Sequence, residues 1–170
     1  SGGSIVLASA SPADANPLIL NRFLLRLLVD PGKQRIDVEQ GEFGNMDLGV
    51  ALRGTIDYSD GDPRVDFGVA GTRMSVSAMK RLWPVFAAPK VRAWVDEHVR
   101  NGTVERLAIA TNAPMSTLKS SGPPVPDDGL AIEIVGHGAE IRPVEGLPSI
   151  RDADFNVRIT GRTAVVNIGR

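Results

Sequence analysis

Strict alternation of apolar and polar residues is the clearest pattern along the chain. From Met46 to Tyr58 every even position is apolar or glycine, while charged residues such as Asp47 and Arg53 take odd positions. A period of two predicts a long strand with one apolar face. Turn-forming residues follow at 59–63, and alternation resumes from Val65 to Val69. The two runs therefore predict an antiparallel hairpin.

The same pattern recurs upstream and downstream, separated by short segments rich in glycine, proline and aspartate. Such segments are typical of turns between strands. In all, about eight strands joined mostly by short turns are predicted. The remaining strands are predicted at residues 23–29, 36–38, 130–134, 139–141, 155–159 and 164–168, with turns at 30–33, 136–138 and 161–162.

One segment has the periodicity of an amphipathic helix. Pro89 suits the first helical position, Val91, Trp94 and Val95 fall on one face, and Asn101-Gly102 provides a stop. A second, shorter helix is predicted from Ser75 to Trp83. The expected fold is mainly β: a curved antiparallel sheet, forming an open groove or half-barrel, with one or two helices against it.

The predicted strands carry more apolar surface than a helix of three turns can cover. The sheet can bury this surface by closing on itself, by packing on another chain or domain, or by holding an apolar ligand. The side chains are mainly aliphatic, which suits acyl chains better than sugars or nucleobases. The candidate lining residues are Met46, Leu48, Val50, Leu52, Ile56, Val65, Phe67, Val69, Ile132, Ile134, Phe155, Val157, Ile159 and Val166.

Composition and motifs argue against several function classes. The chain has no cysteine, which excludes disulfides and thiolate metal sites, and its formal charge of -1 gives no signature for nucleic-acid binding. No hydrolase, metalloprotease or nucleotide-binding motif is present. His98 is predicted to be satisfied near a helix end, His137 to lie at an exposed turn, and Asp57, Asp60 and Asp62 to belong to a hairpin turn. We therefore expect no enzymatic activity, no cofactor and no metal.

Two passages resemble the AsmA-like envelope proteins of the YhdP type, a family related to TamB. In the first, Leu82-Trp83-Pro84 precedes the helix carrying Arg92 and Trp94 in a basic-x-Trp pattern, and Asn101-Gly102-Thr103-Val104 opens the next strand. In the second, residues 144–155 are similar to the family's bend before a strand. The resemblance covers about residues 20–170 and implies a segment of an elongated β groove with a hydrophobic interior.

The resemblance also implies function and location. Members of this family are periplasmic proteins, anchored in the inner membrane of Gram-negative bacteria and implicated in moving phospholipids toward the outer membrane. The expected partners are phospholipid or fatty acyl chains and neighbouring segments of a longer protein. Residues 1–4 are interpreted as a linker or tag remnant, and residues 5–170 as one β-rich domain. The alternative is a non-enzymatic structural or interaction module whose apolar face packs on neighbouring segments.

Overall fold

The computed structural model describes residues 4–7, 17–83, 88–119, 121–143 and 146–169. Three parts of the sequence predictions lie outside these ranges: residues 1–3 of the predicted linker, Pro84 of the first family-like passage and residues 144–145 of the second. The strands are β1 (Ile5–Leu7), β2 (Leu18–Leu20), β3 (Arg22–Asp30), β4 (Arg35–Gly44), β5 (Gly49–Asp57), β6 (Arg64–Gly71), β7 (Met74–Ser75), β8 (Val99–Arg100), β9 (Thr103–Pro114), β10 (Leu130–Ile141), β11 (Ile150–Thr160) and β12 (Thr163–Gly169). The helices are α1 (Val76–Leu82) and α2 (Pro89–His98), and Met115–Leu118 form a 3-10 turn.

Ten of the strands form one antiparallel sheet, which confirms the predicted fold class. Eight follow the order β12-β11-β10-β9-β6-β5-β4-β3, while the two-residue strands β7 and β8 pair with β9 and β10. The sheet is curved and does not close into a barrel. Within the described residues, β3 and β12 are therefore its two edges. Strands β1 and β2 form a separate pair.

The strand register joins the alternating positions into one continuous apolar face. Leu52 pairs with Gly41 and with Val69, and Val69 pairs in turn with Ile109. The next strand continues the row, because Ile109 pairs with Ile132. Directly paired residues point to the same side of an antiparallel sheet. The predicted alternation therefore becomes a sheet with one apolar and one polar face.

Charged side chains occupy the opposite, polar face. Arg106 and Arg158 both form ion pairs with Glu133, which lies between them on β10. At the β3 edge, Arg26 Nε lies 2.7 Å from Glu39 Oε2. Exposed pairs of this kind add little stability, but they mark the face that is in contact with water.

The helices and the β1–β2 pair cover the apolar face over β9–β11. Ile134 and Ile141 are 1% and 2% exposed, in a buried cluster with Val76 and Met79 of α1 and Val95 of α2. Leu18 and Leu20 of β2 belong to the same cluster. A smaller cluster of Val65, Ala113 and Leu118 lies at the 3-10 turn.

Local signals explain both helices. The Ser75 side chain accepts a hydrogen bond from the amide of Ala78 and caps α1, and Pro89 occupies the first turn of α2. Lys80 Nζ then links the two helices, donating to the carbonyl oxygens of Asp96 at 3.2 Å and Val99 at 2.5 Å. Both predicted helices are confirmed. No helix in the described part of the chain has the length and apolar character needed to cross a membrane.

The structure corrects three details of the predicted strands. Strand β5 begins at Gly49 rather than Met46, because Asn45 Oδ1 accepts hydrogen bonds from the amides of Asp47 and Leu48 and turns the chain there. Residues 136–138 are a bulge rather than a turn: β10 continues to Ile141, with a register shift relative to β11 between Gly136 and Ala139. The strands predicted at 130–134 and 139–141 are therefore one strand, and β9 was not among the eight predicted strands.

Candidate functional site

The apolar face is open to solvent over β3–β6, where cover by the helices ends. On β3, Phe23, Leu25, Leu27 and Val29 are 53%, 49%, 48% and 54% exposed. Leu52 and the other apolar residues of β5 on this side are half-buried. We call this surface the open apolar face. It comprises Phe23, Leu25, Leu27, Val29, Ile36, Phe43, Val50, Leu52, Ile56, Phe67 and Val69.

The open apolar face carries no charged side chain among these residues, although β3–β6 contain many. Their arginines, aspartates and glutamates take the alternate positions and point to the polar face. Arg64 Nε, for example, donates to Asn112 Oδ1 at 2.8 Å, and Asn112 Nδ2 donates to Asp66 Oδ2 at 3.2 Å. The open apolar face therefore offers no partner to an ion. An aliphatic ligand could cover it without removing any charge from water.

Glycines shape the open apolar face by letting large neighbours lie close to the backbone. A Cβ atom on Gly54 would lie 2.5 Å from Cδ1 of Phe67, its cross-strand partner, so the phenyl ring lies over the glycine. A Cβ on Gly41 would lie 3.1 Å from Cβ of Leu52. Glycine in a strand interior is destabilising by itself and often marks such a close approach. Here it makes room for the bulky side chains of the same face.

The structure places most of the predicted lining residues either on the open apolar face or in the buried core, and it places Val166 and Met46 elsewhere. Val50, Leu52, Ile56, Phe67 and Val69 lie on the open apolar face, where Val50 and Phe67 also contact the buried clusters. Seven predicted lining residues are buried: Leu48, Val65, Ile132, Ile134, Phe155, Val157 and Ile159. Val166 is 40% exposed on edge strand β12.

Met46 belongs to neither surface, because it is 96% exposed in the β4–β5 turn. The prediction that it lines a groove is wrong, since the strand from which its orientation was inferred begins three residues later.

The buried group of predicted lining residues is packed by the protein itself. Between helices and sheet, a partly enclosed apolar cavity of about 30 Å³ is lined by Met79, Trp94, Phe155 and Val157 among others. That volume is too small for an acyl chain, and a cavity lined only by apolar groups stays dry. The β10–β11 part of the apolar face is therefore protein core rather than ligand surface.

The predicted lining residues did not include the β3 residues of the open apolar face, Phe23, Leu25, Leu27 and Val29, nor its β4 residues Ile36 and Phe43. Residues 23–29 have no alternation, because Leu24 and Leu28 on the polar side are apolar as well. A run that is apolar at both parities predicts a strand in contact with apolar groups on both sides. That signal was present in the sequence.

A surface cavity of about 780 Å³ overlaps one end of the open apolar face, with which it shares Phe23, Phe43 and Val50. It is lined by consecutive residues of four strands, for example Leu24 and Glu42 together with Phe23 and Phe43. Because consecutive residues of a strand point to opposite faces, a cavity lined by both runs along the strand backbone. The side chains of Arg22 and Glu42 also place polar groups in it. It gives no support to an acyl-binding role.

The histidines and aspartates singled out from sequence have local partners. The His98 ring stacks on Trp94, with centroids 4.9 Å apart, and its Nδ1 lies 2.9 Å from the Trp94 carbonyl oxygen. His137, exposed in the β10 bulge, has Nε2 at 2.8 Å from Glu105 Oε1. No group of three histidine, aspartate or glutamate residues suited to a metal ion occurs among the described residues.

Two aspartates of the β5–β6 connection organise the backbone around them. Hydrogen bonds from Ser59 hold the pKa of Asp57 below its ordinary value. Asp62 reaches the 3-10 turn, where it accepts hydrogen bonds from Ser116 Oγ at 2.5 Å and from the Ser116 amide at 3.0 Å. These bonds lower the pKa of Asp62. Both carboxylates therefore act as turn acceptors, as carboxylates in tight connections commonly do.

The fold and site define an open antiparallel sheet protein with one apolar face, half of it covered by helices and half open. In comparisons with known proteins, the chain matches no family model, no curated protein and no solved structure.

Proposed function

We propose that the chain is a lipid-binding or lipid-conducting segment whose open apolar face holds acyl chains of phospholipids or fatty acids. The observation that carries the proposal is the exposure of Phe23, Leu25, Leu27 and Val29 beside the half-buried Leu52, on a face without charge. Contiguous exposed apolar surface of this kind marks an interaction site in a soluble protein. The aliphatic side chains favour a flexible hydrocarbon as the ligand.

The dimensions of the open apolar face suit one or two acyl chains. Four strands spaced about 4.8 Å apart span roughly 15 Å, and each strand of eight to ten residues runs roughly 25–30 Å. A chain of a dozen methylenes that buries half its surface gains roughly 5 kcal/mol, at about 0.8 kcal/mol per fully buried methylene. That corresponds to a dissociation constant of about 0.2 mM before the cost of association is included. Binding to the isolated chain should therefore be weak and exchangeable.

In the wider proposal, the chain is part of a periplasmic AsmA-like protein, anchored in the inner membrane and involved in outer-membrane lipid homeostasis. This part rests on the sequence resemblance described above. The open sheet and its apolar face fit a segment of a longer groove, since acyl chains could pass from one such segment to the next. The proposal includes no catalytic step and no cofactor.

The test is direct lipid binding by the purified chain. The delipidated chain should take up a fluorescent fatty acid at millimolar concentration, and unlabelled oleate should displace it. A folded chain that takes up no probe at that concentration would contradict the proposal.

A second candidate function is a structural module whose apolar surfaces pack on neighbouring segments. The observation in its favour is edge strand β12, which contains no charged residue and exposes Val165, Val166 and Ile168 by 50%, 40% and 39%. Uncharged, unpaired edges are sites for strand addition. A chain that oligomerises through Val166 and binds no lipid would favour this function over the first.

A further inference from the structure

Edge strand β3 has an unusual surface: it is apolar on both faces and has no strand partner on its outer side among the described residues. Beyond the residues of the open apolar face, Leu24 and Leu28 on the polar side are 47% and 52% exposed. Natural edge strands are usually protected by charged side chains, prolines, inward charges or bulges in the edge itself, and of these β3 has one charged residue at its centre, Arg26. Strand β3 has no proline, and the extra residue at its register shift, Glu39, belongs to β4.

The sequence of β3, Arg-Phe-Leu-Leu-Arg-Leu-Leu-Val-Asp, complements itself when it is reversed. In an antiparallel pair of two copies centred on Arg26, Phe23 lies opposite Val29 and Leu24 opposite Leu28 of the second copy. Arg22 lies opposite Asp30 at both ends, so opposite charges meet there. Cross-strand apolar pairs and opposite charges both stabilise an antiparallel ladder.

Arg26 is the one position of this strand where like charges would meet, and the structure already compensates it. Its guanidinium is paired with Glu39 of the same chain at 2.7 Å. Two copies would therefore bring together two arginines and two glutamates, a cluster without net charge. Pairing at this register leaves no like-charge repulsion uncompensated.

We propose that β3 is a dimerisation edge, at which a second copy of this chain adds its own β3 in antiparallel register centred on Arg26. An antiparallel pair related by a two-fold axis perpendicular to the sheet keeps both apolar faces on one side. The open apolar faces of the two copies thus join into one surface of double width. A two-fold interface of this kind closes after two copies. The dimer does not depend on lipid binding.

Strand β12 is the other edge at which two copies could pair, but it is less suited to antiparallel self-pairing than β3. It is seven residues long against nine, its side chains are smaller, and no ion pair would form at its ends. Pairing of β12 with β3 of another copy would be head-to-tail and would extend into an open series rather than a dimer.

Single cysteines test the register directly, because the chain has none of its own. Directly opposed residues in an antiparallel pair have Cα atoms about 4.5–5.5 Å apart, which suits a disulfide. Arg26→Cys should therefore form a disulfide-linked dimer under mild oxidation, and the matched Val166→Cys on β12 should not. Efficient crosslinking of Val166→Cys without that of Arg26→Cys would overturn the proposal.

A charge-rescue experiment tests the same register without a covalent bond. Sedimentation velocity of the 170-residue chain should show a dimer. The double variant Leu24→Lys/Leu28→Lys should be a monomer at the same concentration, since each introduced lysine faces another. The variant Leu24→Lys/Leu28→Glu should recover the dimer, because the lysine introduced at position 24 then faces the glutamate introduced at position 28 of the second copy. A salt concentration of about 1 M should weaken this recovered dimer again, since the attraction between the introduced charges is then screened.

Both substituted positions lie on the polar side of β3, so uptake of a fluorescent fatty acid should be retained in every variant. Circular dichroism and thermal melting confirm that each variant is folded. A wild-type chain that stays monomeric at millimolar concentration, or a Leu24→Lys/Leu28→Glu variant no more dimeric than Leu24→Lys/Leu28→Lys, would contradict the proposed edge. Neither result would bear on lipid binding, which the fatty-acid assay measures separately.

Discussion

A carboxylate placed in the middle of the open apolar face should make acyl binding strongly pH-dependent. Leu52 pairs with Gly41 and Val69 at the centre of this face, so an acyl chain lying on it would cover the side chain of a Leu52→Asp variant. Covering the ionised form is costly, and the group would instead be protonated. With an ordinary aspartate pKa of about 3.9, protonation costs about 4 kcal/mol at pH 7 and about 1.5 kcal/mol at pH 5.

Fluorescent fatty-acid titrations of Leu52→Asp should therefore show about 10-fold weaker binding at pH 5 and no measurable binding at pH 7, where the cost of protonation approaches the whole gain of roughly 5 kcal/mol. Ala51→Asp is the matched control, because Ala51 is the adjacent residue on the polar face. Leu52→Asn controls for polarity, and its binding should change between the two pH values only as much as that of the wild type does. If Leu52→Asp binds as the wild type does, or if Ala51→Asp weakens binding as much, the acyl chain does not lie on this face.

Three further predictions concern stability. Gly54→Val would place its Cβ against the Asp66 carbonyl oxygen and 2.5 Å from the Phe67 ring. This overpacking should cost roughly 1–3 kcal/mol of unfolding free energy and lower Tm by several degrees in calorimetry. Gly68→Val is the control and should leave Tm unchanged, because a Cβ at Gly68 has open space around it. Lys80→Met removes two charge-assisted hydrogen bonds to the end of α2 and should lower the free energy of unfolding by about 2 kcal/mol in urea. Lys90→Met is the control and should change it very little, because Lys90 is exposed. The ionised Asp62 stabilises the fold, because its pKa is lowered in the folded state. Its contribution to the free energy of unfolding is complete above about pH 4 and is lost as the pH falls through the lowered pKa. Ser116→Ala should raise the pKa of Asp62 in an NMR titration, and an unchanged pKa would contradict the role of Ser116.

Alternation was a reliable guide to strands and their faces, since each apolar position from Val50 to Ile56 lies on the predicted side. It did not reveal what covers each face. Leu52 and Ile134 have the same periodic context, yet Leu52 is half-buried and Ile134 lies beneath the helices with 1% exposure. Cover depends on where α1, α2 and β2 pack, which is a tertiary property that local periodicity does not contain.

The errors follow from local geometry that breaks the period. In β9, a register shift separates Val104 from Leu107 and interrupts the alternation, so periodicity does not predict this strand, although the family-like passage implies a strand that starts at Thr103. Gly138 has a positive φ of 68°, which fits a bulge as well as a turn, and the two are hard to distinguish in sequence. Strand β3 was predicted correctly, but its side chains were not assigned to a surface because both parities are apolar.

Photocrosslinking with a diazirine-labelled fatty acid tests the central claim most directly. After irradiation and peptide mass spectrometry, labels should concentrate on the open apolar face, at residues such as Leu25, Leu52 and Val69, and excess oleate should suppress them. Met46 is the internal control, because it is the most exposed large apolar side chain among those described and lies in the β4–β5 turn rather than on a strand of this face. Labelling that follows exposure, with Met46 foremost and no competition by oleate, would contradict a lipid-binding role for the open apolar face.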